Sequence, residues 1–280
     1  QAEIIVCANN FHGRSTTIVG FSSEAQYRDG FGPFAPGFCS IPYGDAAALE
    51  AAITPNTAAF LFEPIQGEGG IVIPPAGWLA RCAEVCRQHN VLLIADEVQT
   101  GLGRTGRLLA CEHEGVRPDG VILGKALGGG LLPVSAFLAD EAVMQVFRPG
   151  DHGSTFGGNP LASAVADEAL RLLADERLAE RAARLGEAFL ARLQAIESPL
   201  IREVRGRGLL IGMELDTRRV NARTAAEWLL ARGLMTKDTH DSVLRFAPPL
   251  IVGEPELEWA AEVIEDALAD LATRFPGTQA

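Results

Sequence analysis

The first half of the chain alternates short apolar runs with one long periodic stretch. Residues 2–8 (Ala-Glu-Ile-Ile-Val-Cys-Ala), 58–62, 91–95, 121–123 and 134–138 are brief and rich in Val, Ile, Leu or Phe. Runs of that length and composition predict strands buried on both faces, as in a parallel sheet. Residues 78–89 instead place Leu79, Cys82, Val85 and Cys86 at helical spacing. Strand, helix and strand over 58–95 make one crossover unit, which is right-handed in nearly all proteins. A Gly/Pro-rich loop occupies 30–37, and Asp45 can cap a short Ala-rich helix ending near Ile53. Asn159 followed by Pro160 predicts an N-cap and a first helical turn, with the helix reaching about Leu173. A second helix is expected from Leu178 to Ile196.

The pattern changes after Pro199. Residues 204–215 read as one strand containing glycines at 206, 208 and 212. A helix near 224–232 and strands near 234–237 and 243–246 follow. The last helix, from Pro255, turns Leu257, Ala261, Ile264, Leu268 and Leu271 to one side and Glu258, Glu262, Glu265 and Asp266 mostly to water. The expectation is a mostly parallel α/β large domain with connecting helices over 1–197, and a smaller α+β domain over 198–280. No internal repeat or low-complexity linker separates them.

A chain of 280 residues is long enough for two such domains. A hydrophobic content of 48% against 21% charged residues suits a soluble globular protein. A net charge of −12 argues against nucleic acid or an anionic membrane as partner. No apolar run reaches membrane-span length, and no signal-peptide pattern is present. The cysteines at 7, 39, 82, 86 and 111 are odd in number and unpatterned, which fits a reducing cytosol. Cys82 and Cys86 lie one helical turn apart, but no further Cys or His spacing completes a zinc set. Core packing is therefore expected of them, and no metal.

Two charged residues change the picture. Asp96 follows the strand 91–95, and Lys125 follows the strand 121–123, shortly before Gly128-Gly129-Gly130. Open α/β sheets bind ligands at the carboxyl ends of their strands. A lysine able to lose its proton and a fixed carboxylate are the two groups that pyridoxal phosphate needs. The amine carries the cofactor's aldehyde carbon, and the carboxylate keeps the pyridine nitrogen protonated. A plain N-cap role for Asp96 and a phosphate-ligand role for Lys125 are the blander readings. A Walker A loop fails, because Gly120-x-x-x-Gly124-Lys125-Ala126 has three residues between its glycines and lacks Ser or Thr after the lysine. Gly101-Leu102-Gly103-Arg104-Thr105-Gly106 matches the dinucleotide pattern formally, but no long apolar-faced helix follows.

The words around these residues narrow the choice. Residues 95–101 (Ala-Asp-Glu-Val-Gln-Thr-Gly), 123–130 (Leu-Gly-Lys-Ala-Leu-Gly-Gly-Gly), 63–70 (Glu-Pro-Ile-Gln-Gly-Glu-Gly-Gly) and 152–160 (His-Gly-Ser-Thr-Phe-Gly-Gly-Asn-Pro) together resemble the class III, or ω-amino, aminotransferases. Order and spacing agree over nearly the whole chain. Residues 10–14 (Asn-Phe-His-Gly-Arg), 42–45 and 239–249 extend the likeness. The resemblance implies a fold-type I pyridoxal-phosphate transferase and a homodimer or higher homo-oligomer. It implies transfer of the distal amino group of an amino acid to 2-oxoglutarate, with ornithine as the expected donor. Acetylornithine and 4-aminobutyrate are the alternative donors. A non-catalytic dimer subunit is the alternative from another class, and glutamate semialdehyde isomerisation fits less well, since it needs no oxo-acid clamp. A substantial upstream portion is also implied, including the turn and helix start that hold the cofactor phosphate.

The same resemblance supplies expected roles. Lys125 carries the cofactor and then shuttles a proton, which needs a neutral amine that burial would favour. Leucines at 123 and 127 suggest that Lys125 is not a surface residue. Asp96 pairs with the pyridine nitrogen, Gln99 with the phenolic oxygen, and Phe11 covers the ring. Thr155 reaches the phosphate of the partner's cofactor. Arg14 is the distal carboxylate clamp and Arg245 the near one, since a guanidinium grips a carboxylate through two parallel hydrogen bonds. Glu68 neutralises Arg245 when the near carboxylate is absent. Glu63 is a supporting residue near Arg14 or Gln99.

Overall fold

Six strands build the sheet of the first structural unit: β1 (Glu3–Cys7), β2 (Phe38–Ile41), β3 (Thr57–Phe62), β4 (Leu92–Asp96), β5 (Gly120–Leu123) and β6 (Ala136–Ala139). Their order is β2-β1-β3-β4-β5-β6. The first five strands run parallel, and β6 closes the edge antiparallel to β5. The computed structural model describes residues 1–275, so the last five residues of the expected small domain lie outside the described residues. The chain divides into two compact units. One comprises 1–66, 74–102 and 108–176, and the other 67–73, 103–107 and the chain from 177 onward.

Alternation along the inner strands β1, β3 and β4 explains why they are covered on both sides, whereas the edge strands β2 and β6 expose Cys39, Ser40, Phe137 and Leu138. Ile5, Cys7, Phe60, Phe62 and Leu93 face the helix Trp78–His89, meeting Trp78, Leu79, Cys82, Val85 and Cys86. Val6 and Leu61 point the other way and pack with Phe21. Each fully buried side chain of that size contributes roughly 1.5–3 kcal/mol relative to exposure. The helix runs over the residues its periodicity predicts and ends at Asn90, whose left-handed φ of 55° closes it. Burial in this core pushes the Cys82 and Cys86 thiols up to about 12, so both remain protonated. The Asp45 carboxylate accepts from the Ala48 N–H at 2.9 Å, starting the helix Ala46–Ala52. Asn159 accepts from the Ala162 N–H at 2.9 Å and starts the helix Pro160–Asp175. Such a cap stabilises by about 1 kcal/mol.

Strand β2 has no counterpart in the sequence reading. Phe38-Cys39-Ser40-Ile41 has no apolar run, and Cys39 and Ser40 are exposed. The segment becomes a strand because it pairs with β1, Ile4 opposite Phe38 through Cys7 opposite Ile41.

The second unit has its own sheet of β7 (Ile201–Arg207), β8 (Leu210–Leu215), β9 (Lys237–Thr239) and β10 (Val243–Phe246), ordered β7-β8-β10-β9 and antiparallel throughout. The single strand expected over 204–215 is a hairpin. Gly208 turns the chain at a left-handed φ of 56°, and a Cβ there would lie 2.7 Å from the Arg104 carbonyl oxygen. Helices Leu178–Gln194, Ala222–Leu230 and Glu254–Arg274 cover this sheet. All five apolar residues expected on the last helix are buried, and its four expected acidic residues are exposed.

The formal dinucleotide pattern has a structural use in this unit. Arg104 donates to the carbonyls of Leu209 at 3.0 Å and Pro248 at 2.6 Å. Burial lowers Arg104 to about 10, which leaves it charged at neutral pH. No long helix follows Gly106; the next helical element is the short 3-10 turn Ala110–Glu114. Among the described residues no helix is long and apolar enough to cross a membrane.

Candidate active site

Register places the two sequence-predicted charges at one edge of the first sheet. Asp96 is the last residue of β4 and pairs with Ile122, while β5 ends at Leu123, two residues before Lys125. Phe11, His12, Glu63, Asp96, Gln99 and Lys125 all line one cavity of about 90 Å³ at this edge. Lysine, carboxylate, amide and aromatic ring are therefore gathered as the sequence reading required.

Asp96 is 6% exposed and held at both oxygens. One oxygen accepts from the Val98 N–H at 3.0 Å, and the other lies 2.7 Å from His12 Nδ1. An ionised Asp96 accepts the Nδ1 hydrogen, so this contact fixes the imidazole tautomer and the carboxylate together. His12 Nε2 is buried and has no hydrogen-bond partner among the described residues. The neighbouring Glu97 is buried too, accepting from the Thr100 hydroxyl and from the Cys111 N–H at 2.9 Å. Burial pushes the Glu97 carboxyl up, and those hydrogen bonds offset part of the rise. The turn after β4 is thus pinned on both sides of Asp96.

Lys125 corrects one expectation. Leu123 and Leu127 are buried, but Lys125 itself is exposed. The strand has already ended, and Lys125 opens a 3-10 turn with a left-handed φ of 42°. The buried leucines therefore do not carry it inward with them. A non-glycine residue in that region is uncommon and marks a conformation imposed by its surroundings.

The other candidates of this unit divide by contact. Glu63 is 5% exposed and accepts from the Phe11 N–H at 3.0 Å, so it holds the Phe11 backbone. The Tyr43 hydroxyl contacts the Glu63 and Pro64 carbonyls at 3.0 and 2.9 Å. Arg14 is exposed, forms no ion pair among the described residues, and lies with its guanidinium 3.9 Å from the Tyr27 ring centroid. An uncompensated guanidinium held on a ring face keeps its hydrogen-bonding edge available to an anion. Thr155 is exposed in the loop before Asn159, where Ser154 Oγ accepts from the Gly157 N–H at 3.0 Å.

Glu68 and Arg245 both belong to the second unit and form an ion pair. Arg245 Nη1 donates to Glu68 Oε1 at 2.5 Å, and Lys237 Nζ donates to Glu68 Oε2 at 2.7 Å. Burial alone would raise the Glu68 carboxyl, but the hydrogen bonds and charges of Lys237 and Arg245 outweigh it and hold it at about 2. The carboxylate is therefore ionised at any physiological pH.

Two residues of these constellations escaped sequence reasoning. His12 sits inside the Phe11-His12-Gly13-Arg14 motif, and its link to Asp96 spans 84 positions. Lys237 carries no signal beyond its proximity in sequence to Arg245. For pyridoxal phosphate the set in the first unit fits in chemistry. It offers an amine, a buried and doubly anchored carboxylate, an amide, a ring, and a buried imidazole nitrogen still lacking a partner.

The comparisons with known proteins agree with this fold. The sequence profile of the family described as aminotransferase class-III matches residues 1–268. The chain belongs to the class III aminotransferases, a pyridoxal-phosphate-dependent family of fold type I. It is 59% identical over 268 residues to the ornithine aminotransferase of Bacillus subtilis (strain 168), covering 96% of this chain and 66% of that protein. A structure of the ornithine aminotransferase from Toxoplasma gondii, with partial occupancy of pyridoxal phosphate at its active site, superposes with a TM-score of 0.95. That match is 47% identical and covers 99% of this chain and 66% of the other. The acetylornithine aminotransferase of Elizabethkingia anophelis is 50% identical with a TM-score of 0.85, covering 96% of this chain and 67% of the other. The chain thus spans about two thirds of the length of the relatives it matches.

Proposed function

We propose that the protein transfers the distal amino group of L-ornithine to 2-oxoglutarate, giving glutamate 5-semialdehyde and glutamate in a two-step ping-pong reaction. The observation that carries the substrate assignment is the Glu68–Arg245 ion pair. An enzyme with this chemistry accepts two unlike acids in turn. Ornithine presents its distal amine to the reacting centre and leaves its carboxylate far away. 2-Oxoglutarate brings a carboxylate close by and a second one far away. In this reading Arg14 takes the far carboxylate of both. Arg245 takes the near carboxylate of the oxo acid, and Glu68 neutralises Arg245 when ornithine is bound. The names of the Bacillus subtilis and Toxoplasma gondii relatives support the same donor.

When bound, pyridoxal phosphate supplies an electron sink that acidifies the substrate C–H bond. Lys125 would hold it through its side-chain amine and would move the proton at the substrate carbon. Asp96 would keep a proton on the ring nitrogen, and His12 and the Val98 N–H keep Asp96 in place. Gln99 would donate to the cofactor's phenolic oxygen, and Phe11, anchored through Glu63, would pack on the cofactor. Thr155 reaches the partner subunit's cofactor phosphate, so the working form is a homodimer with an isologous interface. This activity belongs in the cytoplasm, in proline and arginine metabolism.

Single-turnover measurements of the two half-reactions test the reading. Arg245→Lys is expected to slow the 2-oxoglutarate half-reaction by about tenfold or more, since lysine cannot make the bidentate contact, and to spare the ornithine half. Glu68→Ala is expected to unmask Arg245 and let α-amino acids such as glutamate compete better as donors. Equal losses in both halves for Arg245→Lys would leave Arg245 as a structural ion-pair member.

A further inference from the structure

Arg245 and Lys237 stand directly opposite one another in the antiparallel pair β10–β9. Two like charges facing each other across strands destabilise a sheet unless something bridges them. The bridge here is Glu68, which gives one carboxylate oxygen to each cation. Lys237 is 56% exposed at its side chain, Glu68 22% and Arg245 15%. The arrangement therefore has a buried side at Arg245 and an open side at Lys237.

Resting on the substrate reading above, we propose that Lys237 is the second berth of the Glu68 carboxylate and makes room for the oxo acid at Arg245. A carboxylate bound through a different oxygen to each cation can leave Arg245 without leaving Lys237. With ornithine, Glu68 spans both cations. With 2-oxoglutarate, the substrate carboxylate takes Arg245 while Glu68 stays on Lys237, so two carboxylates meet two cations. Without Lys237 the displaced, largely buried Glu68 would lose its 2.7 Å contact with the Lys237 ammonium just as a second carboxylate arrives beside it. Removing the cation from a partly buried carboxylate costs more than an exposed pair gains.

The surrounding backbone favours a side-chain movement over a loop movement. Arg205 donates to the Gly70 carbonyl at 2.8 Å and to the Ile71 carbonyl at 3.0 Å, tethering the segment just after Glu68. The Thr236 hydroxyl donates to the Arg245 carbonyl at 2.8 Å, fixing the strand that carries the near clamp. Only the Glu68 side chain has to rotate. Lys237 is thus a positioning residue that acts on substrate choice through Glu68.

The test is a set of variants of the full-length holoenzyme, read in both half-reactions and in equilibrium binding of glutarate, a dicarboxylate that cannot react. Lys237→Met is expected to raise the KM for 2-oxoglutarate and the Kd for glutarate by about five- to tenfold, and to change the ornithine half-reaction less than about twofold. Lys237→Arg is expected to restore both. In a Glu68→Gln background the Lys237→Met effect should vanish, because the two residues act as one coupled pair. An effect that persists in that background would mean that Lys237 attracts the dianion directly, and would overturn the proposal. So would an unchanged glutarate affinity in Lys237→Met, or equal losses in both half-reactions. The underlying substrate reading fails separately, by equal losses for Arg245→Lys.

Discussion

Lys125→Ala is expected to lower transamination by roughly a thousandfold or more, the size of effect that follows removal of a nucleophile. Its side chain ends the path from β5 into the cavity that Asp96 and Gln99 share. Among the described residues along that cavity wall, no other carries an amine. The fold should survive. Lys125 is exposed, so truncation opens no core cavity, and alanine tolerates the left-handed φ of 42° about as well as lysine does. Three measurements decide the outcome: turnover, the visible absorption band of the lysine-bound cofactor, and the melting temperature. The expected result is lost turnover and a lost band with a melting temperature near that of the parent. Turnover within tenfold of the parent would remove Lys125 from the reaction.

Asp96→Asn is expected to cost about a hundredfold or more in rate while weakening cofactor binding much less. The amide has the same shape and can still accept from the Val98 N–H, which is 3.0 Å away in the parent. It lacks the negative charge that, in the proposed reaction, would keep a proton on the ring nitrogen. With its one oxygen on the Val98 N–H, the amide turns its NH2 group toward His12 Nδ1, so the acceptor for the Nδ1 hydrogen is lost. Titrating the variant with pyridoxal phosphate separates binding from rate. Near-parental turnover at saturating cofactor would argue that the Asp96 charge is not used.

Sequence reasoning reached furthest where local pattern and packing agree. Helix Trp78–His89 was legible because Leu79, Cys82, Val85 and Cys86 repeat at helical spacing and the sheet buries that side. The strands ending at Asp96 and just before Lys125 were legible because parallel strands buried on both faces leave uninterrupted apolar runs. Strand β2 was not, because Cys39 and Ser40 face water and only pairing with β1 makes the segment extended. The 201–215 hairpin was hidden because Gly208 resembles the glycines at 206 and 212, which stay inside strands. Its left-handed turn is set by the close approach of residues 104–106.

The same division holds for the candidate site. Asp96 and Lys125 could be read from position alone, each at the end of an apolar run. The exposure of Lys125 could not, because it depends on where β5 stops and the 3-10 turn begins. His12 and Lys237 meet partners 84 and 169 residues away, and no spacing rule reaches that far. Arg14 was legible as a charge, but its hold on the Tyr27 ring appears only in three dimensions.

The central claim is the amino donor, and a donor panel on the full-length holoenzyme with 2-oxoglutarate as acceptor tests it most directly. The quantity to compare is kcat/KM for L-ornithine, N-acetylornithine and 4-aminobutyrate. The account predicts L-ornithine highest, by about tenfold or more, since one charge-reading contact is worth that much in discrimination. A higher kcat/KM for N-acetylornithine or 4-aminobutyrate would contradict it.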